Sequence, residues 1–346
     1  MTTMTHDQAL VSRGRSGGGL GFAALAAGSF GLSGSLAGGL MASGWSPGAA
    51  VTVRVVVGAL VLLGPALVAL RGRWALLRGN VGLLTAFGVV SVAGCQLAYF
   101  NAVQHLAVGL ALLVEYTAPV AVIGWLWLRH GQRPGRKTVA GALLAALGLL
   151  LVLDLFSGPK VSGVGLAWAM AAMVGVAFFF VVSATEDNGL PPLVLACGGL
   201  VVGSLVLVPA GALGLVPWHA TSSPVTYGGA RVPAWLPLLG LGVVSAAFAY
   251  VAGIAASRRL GSRLASFVGL LEVLFALVFA WLLLGQLLVV VQLLGAALVL
   301  AGVVVVKLGE TQTSRAELHP SSPIILPPDE HLSGQQHERG SRGDGQ

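Results

Sequence analysis

The sequence predicts an all-α polytopic membrane protein, with about ten transmembrane helices arranged as two inverted five-helix repeats. Three observations predict it. Of 346 residues, 56% are hydrophobic and only 9% charged. A soluble domain carries roughly 25% charged residues, so this composition cannot cover a water-facing surface of such size. Apolar runs of about 20 residues, the length that crosses a bilayer core of about 30 Å, recur along most of the chain. The pattern of residues 110–153 also returns further on, 154 residues later by the separation of Trp127 from Trp281.

Composition narrows the function classes. The 50 glycines would argue against helices in water. In lipid they let helix backbones approach closely. The net charge of +7 could suggest nucleic acid, but the basic residues sit in short loops between apolar spans, where membrane orientation explains them. No nucleic-acid partner is expected, and the lipid bilayer is. Strand-type alternation is absent, which argues against a membrane β-barrel. Cys95 and Cys197 both lie inside apolar spans and read as small packing residues. No His or Cys cluster has ligand spacing, so no disulfide, metal or cofactor is expected.

Taken in order, residues 1–19 are polar, carry Arg13, Arg15 and a glycine run, and read as an unstructured cytosolic tail. The first span, about Leu20 to Ala42, is longer than the core of a cleavable signal and is followed by many more, so a retained helix is expected. The second, about Pro47 to Leu70, contains Arg54. The third, about Val81 to Val103, contains Gln96, Tyr99 and Asn101. The fourth and fifth run from Leu110 to about Phe156, joined by the basic turn Arg129 to Lys137. Spans six to ten follow at about Val164–Ala184, Leu193–Val216, Trp235–Ala256, Leu264–Leu284 and Leu287–Val306. Residues 309–346 cannot form a core and read as a second unstructured tail. With the N-terminus in the cytosol, the inside loops hold Arg71, Arg73, Arg78, Arg129, Arg133, Arg136, Lys137, Arg258, Arg259 and Arg263. The outside loops hold only Lys160 and Arg231. This asymmetry predicts a plasma-membrane protein with both termini cytosolic.

At an offset of 154, Gly131-Gln132 meets Gly285-Gln286, Gly141 meets Gly295, and Gly148 meets Gly302. The two glycines of each helix are seven residues apart and share a face. Five spans per repeat is an odd number, so the second copy enters the membrane upside down. Secondary transporters commonly use such inverted repeats, with the substrate site near the midplane between them.

These residues resemble the drug/metabolite transporter superfamily, specifically its EamA-type ten-helix members, over about residues 20 to 308 (repeats 20–156 and 164–308). Ser46-Pro47 followed by Arg54, the Pro119–Gly148 unit and its weaker copy Ala280–Lys307 carry the resemblance. Glu115-Tyr116-Thr117-Ala118-Pro119 is also similar to the fourth helix of the superfamily's threonine and homoserine exporters. The resemblance implies a polytopic inner-membrane carrier that exports small metabolites, amino acids or drugs. Two departures stand out. The Gly-Glu step after the fourth and ninth helices is Gly-Gln here, at Gln132 and Gln286, which would lose any pairing of that glutamate with a basic residue. The proline of the ninth helix is Val273.

Candidate binding residues follow from the cost of polarity in lipid. A carboxylate at the bilayer centre costs about 2.5–3.5 kcal/mol on insertion scales. Glu115 must therefore face a polar cavity, pair with a cation or stay protonated, and it could exchange a proton or bind an amine. Glu272 matches Ala118 in the repeat, three residues from the Glu115 register, and so on the same helix face. Arg54 could counter Glu115 or bind a substrate carboxylate, the alternative being a side chain that snorkels to the headgroups. Gln96, Tyr99 and Asn101 offer hydrogen bonds to a cavity or between helices. Pro119 removes a backbone hydrogen bond and bends the fourth helix beside Glu115. No P-loop stretch occurs, so direct ATP drive is not expected.

The expectation is a secondary transporter, not an enzyme, working by alternating access on a small-molecule substrate with the proton as coupling ion. Association into a homodimer stays open. Two alternatives are a membrane scaffold or receptor without transport, and an intramembrane serine protease using Ser33 of Gly31-Leu32-Ser33-Gly34 with His105 as base. Neither needs the repeat.

Overall fold

The computed structural model describes residues 4–106, 108–152, 162–287 and 289–318. The first span is α1 (Met4–Ala42), and the second is α2 (Pro47–Ala69), capped by the Ser46 hydroxyl, which accepts from the Ala49 amide. A short surface helix, α3 (Ala75–Gly79), leads to the third span. That span is built from α4 (Val81–Ala86), a π-helical segment (Phe87–Gly94) and α5 (Cys95–Val103). The fourth is split into α6 (Val108–Glu115) and α7 (Ala118–His130). Then come α8 (Arg136–Val152), α9 (Gly163–Ala184) and α10 (Pro192–Ala212). Beyond a β-hairpin lie α11 (Trp235–Leu239), a second π-helical segment (Gly240–Phe248), α12 (Ala249–Gly269), α13 (Leu271–Leu284) and α14 (Val290–Leu318).

Among the described residues eight helical stretches are long and apolar enough to cross a membrane, and Leu271–Leu284 is a shorter apolar helix. Two features raise this to ten crossings. Trp235–Gly269 has 35 residues, about 50 Å of helix against a core of about 30 Å, and it is interrupted at Gly261 (φ 76°, ψ 159°). The eighth span ends there and the ninth begins. The 17 residues of α8 reach the lower limit for a crossing.

Interhelical contacts show the inversion directly. A Cβ on Gly141 or Gly148 would come within 2.6 Å of the carbonyl oxygen of Gly302 or Gly295, respectively. The reverse substitutions would meet the Gly141 and Gly148 carbonyls at the same distance. The two backbones therefore touch, and α8 and α14 cross antiparallel. Each contact is also the image of the other under exchange of repeats, the mark of a two-fold relation. The second and seventh spans repeat this arrangement, Gly203 lying against Val55 and Gly58 against Leu200. Three local features recur at the 154-residue offset. They are the π-helical segments of the third and eighth spans, the breaks at Tyr116-Thr117 and Leu270, and the left-handed terminators Gly131 (φ 66°) and Gly285 (φ 67°).

The loops sort onto two ends. At one end Asn80 Nδ2 donates to Asn188 O (3.0 Å) and Arg263 Nη2 to Gln132 Oε1 (3.4 Å), while Gly309 lies beside Lys137. At the other, Ser46 Oγ donates to Pro217 O (2.8 Å), Trp45 Nε1 to Thr221 O (2.8 Å) and Gly228 N to Leu283 O (2.9 Å). The basic loops at residues 71–78, 129–137 and 258–263 share the first end, and Arg231 of the hairpin lies at the other. Gln132 thus still meets a basic residue, its neutral amide oxygen accepting from the Arg263 guanidinium, where the sequence suggested a lost pairing.

Two further results differ from the sequence reading. Residues 217–233, expected as a plain loop, contain a hairpin of β1 (Val225–Tyr227) and β2 (Ala230–Val232) in register Val225↔Val232. Its turn is Gly228-Gly229, both at positive φ, a two-residue turn whose signal the Gly-Gly pair already carried. Helices α1 and α14 also extend beyond their spans, to Met4 and Leu318, because propagating a formed helix is far easier than nucleating one. The remainder of both tails, with Lys160, lies outside the described residues.

Candidate functional site

Glu115 is the last residue of α6, where the fourth span breaks. The Thr117 hydroxyl and amide both donate to the Val114 carbonyl (2.6 and 3.1 Å), which closes the break with a tight turn. Pro119 follows in the first turn of α7, where its missing N–H has no partner to lose. The proline therefore opens a new half-helix rather than bending a continuous one. In the ninth span the break falls at Leu270, and Glu272 sits in the first turn of α13, facing the positive end of that helix dipole. Two half-helices, one from each repeat, thus bring a carboxylate to the middle of the bundle.

Between them lies a cavity of about 160 Å³. Glu115, Glu272, Arg54, Gln96 and Pro119 all line it. Arg54 does not snorkel. Its Nη2 donates to the Ser245 carbonyl (2.7 Å) in the second π-helical segment, and its guanidinium carbon lies 5.8 Å from the centre of the Phe30 ring. Its Nε is buried without a hydrogen-bond partner, as is the Ser91 hydroxyl on the cavity wall. The Tyr116 hydroxyl is within hydrogen-bonding reach of the Glu272 carboxylate.

Two sequence candidates fall elsewhere. Tyr99 packs with Ala102, Leu106 and Ala111, outside the cavity lining. Asn101 Nδ2 donates to Leu97 O of its own helix (2.8 Å). Neither Ser33 nor His105 lines the cavity, and His105 Nδ1 lies 2.9 Å from Asn101 O. Cys197 packs in the largest core cluster, but Cys95 is more than packing. Its thiol donates to Glu115 Oε1 (3.6 Å) and to Ala172 O (3.5 Å). Sequence reasoning also missed Ser91, Tyr116, Tyr250 and the wall of Phe30, Phe179 and Phe180. Tyr116 was signalled by its place beside Glu115. Ser91 and Tyr250 were not, because a π-helical segment shifts which faces of the third and eighth helices look inward, and the three phenylalanines of the first and sixth spans read like any other apolar residue of a span.

The chemistry is that of a small, partly open site with both signs of charge and a mostly apolar lining. It can hold a small polar molecule and transfer a proton at a carboxylate.

Comparison with known proteins agrees with this architecture. The model of the EamA-like transporter family matches twice, at residues 17–154 and 163–308, one match per repeat. Relatives include the threonine/homoserine exporter RhtA of Escherichia coli K12, 29% identical over 66% of this chain and 70% of its own length. An uncharacterized transporter of Archaeoglobus fulgidus is 29% identical over 64% of this chain and 74% of its own. A crystal structure superimposes with a TM-score of 0.67 over 85% of this chain and 97% of that one, at 20% identity, which establishes the shared fold. A multi-pass membrane transporter of small molecules is the coarse function these relatives support. The chain belongs to the EamA-like transporter family.

Proposed function

We propose that the protein is a secondary active exporter of small zwitterionic metabolites, amino acids foremost, working by alternating access with proton coupling through Glu115. The observation that carries this reading is the charge layout of the cavity. Arg54, with an unpartnered Nε, and Ser91, with an unpartnered hydroxyl, both line the cavity and offer donors for a carboxylate. Glu115 and Glu272 offer acceptors for an ammonium group. Drug-sized ligands occupy pockets of about 300–1,000 Å³, so a cavity of about 160 Å³ favours a metabolite over a drug. The family relation to a threonine/homoserine exporter supports the same class. The gathering of basic loops at one end supports a cytosolic location for that end and for both termini.

Each charged group in the cavity has its own role. Arg54 anchors the substrate carboxylate while its Nη2 stays tied to the eighth span, so binding pulls the second and eighth spans together. Glu115 sits at a helix break, free of the rigidity of a continuous helix, and its proton exchanges with the substrate cation as the two repeats rock. Counterflow of L-threonine into proteoliposomes tests the substrate class. Saturable counterflow, competed by other small amino acids but not by N-acetyl-threonine or threonine methyl ester, is expected. Competition by both blocked derivatives as strong as by threonine itself would overturn the zwitterion reading.

A further inference from the structure

Four aromatic rings line the cavity, with Phe30 against the Arg54 guanidinium, and the glycines behind Phe179 and Phe180 show how tightly those two are seated. Phe179 of α9 stands edge-on to Phe180 (centroids 5.2 Å apart) and to Tyr250 of α12 (5.6 Å), and Tyr250 stands edge-on to Phe30 of α1 (5.4 Å). All four rings line the cavity, and Phe179 at the centre of the set is 9% exposed. A Cβ on Gly253 would lie 3.1 Å from the tip of the Phe179 ring, and one on Gly269 would lie 2.8 Å from the tip of Phe180. The rings therefore have no room to retreat, and each is held by its edge contacts to the next.

We propose that Phe179 is a specificity-determining residue that sets the upper size of the substrate side chain. This rests on the reading of the cavity as the substrate site. The charged groups fix the backbone end of a zwitterion and leave its side chain to the rest of the lining, in which the four rings are the largest apolar members. Phe179 joins Phe180 to Tyr250, so truncating it opens the wall between them without removing a charge or a hydroxyl. Discrimination in an apolar pocket of this kind is worth about 10–200-fold per methylene of misfit.

Two readouts on the full-length protein decide the matter. The first is counterflow of L-threonine and L-phenylalanine into proteoliposomes by wild type, Phe179→Leu and Phe179→Ala. The phenylalanine-to-threonine rate ratio is expected to rise in that order, by about tenfold in Phe179→Ala. A ratio unchanged in both variants overturns the proposal. The second readout needs no substrate. Cys95 lines the same cavity and Cys197 lies in the core, so in a Cys197→Ala background alkylation reports on the cavity alone. The rate with N-benzylmaleimide relative to N-methylmaleimide is expected to rise in both Phe179 variants. An unchanged ratio again overturns the gauge role. Should neither amino acid be transported, the zwitterion reading fails while the alkylation ratio still judges Phe179.

Discussion

Arg54 and Gly199 occupy equivalent places in α2 and α10, as the antiparallel contacts of Val55 with Gly203 and Gly58 with Leu200 require. Only one of them is charged. A Cβ on Gly199 would come 2.5 Å from the Phe87 ring, which fills the place an arginine takes in the other half. The Glu115 position is treated likewise. Its counterpart 154 residues on is Gly269, with the Phe180 ring against it. The two-fold fold thus carries an asymmetric set of charges, Arg54 and Glu115 from one half and Glu272 from the other. The expected consequence at Arg54 is specific. In Arg54→Gln the KM for threonine should rise by about tenfold or more, because a charge-assisted hydrogen bond contributes roughly 1.5–3 kcal/mol. A KM within twofold of wild type, measured by counterflow, would show that Arg54 only braces Ser245. At Cys95, replacement by Ser keeps a donor to Glu115 and by Val does not. Counterflow is expected to survive the first change better than the second, and equal loss in both would reduce Cys95 to packing.

Helix elements divide into those legible in the sequence and those that are not. The two glycines on one face of the fifth and tenth helices were legible, since spacing alone puts them on a common face. Their partners are now clear, because Gly141 meets Gly302 and Gly148 meets Gly295. Substituting Gly148→Val forces a side chain onto the backbone of α14. It should lower stability by about 1–3 kcal/mol, read as a fall in melting temperature of the detergent-solubilised protein. The same substitution at Gly64, which has open space around its Cβ position, should leave the melting temperature nearly unchanged. The π-helical segments were not legible, because periodicity assigns a helix but not a single inserted residue within it. The same shift hid Ser91 and Cys95 from a reading based on faces. The hairpin also escaped notice, although Gly228-Gly229 marked its turn. It ties the outer end together, with the Tyr227 hydroxyl donating to Leu36 O (2.6 Å) and its ring seated on Gly39. Partial burial pushes the Tyr227 phenol up to about 12, so it remains a neutral donor throughout the physiological range. Tyr227→Phe should therefore loosen the hairpin from α1, seen as faster amide exchange at residues 225–232. Unchanged exchange there would mean that ring packing alone holds it.

For the whole molecule, the repeat, the crossing number and the approximate position of the site could all be read before any coordinates. The reason is physical. Spans must be long and apolar, loop charges record sidedness, and a carboxylate in lipid has few tolerable surroundings. How Glu115, Glu272 and Arg54 converge could not be read, because it depends on helix breaks and close crossings between residues far apart in the chain. The gathered basic loops favour a cytosolic first end, so a reporter fused after Lys307 should report cytosol, and a periplasmic signal would contradict that orientation. The central claim is that Glu115, in a cavity between inverted halves, couples proton movement to export. It is tested most directly by threonine flux into proteoliposomes under an imposed pH gradient, comparing wild type with Glu115→Gln. Wild type should concentrate threonine against its gradient, while Glu115→Gln should retain counterflow but lose gradient-driven accumulation. Accumulation undiminished in Glu115→Gln would contradict the claim.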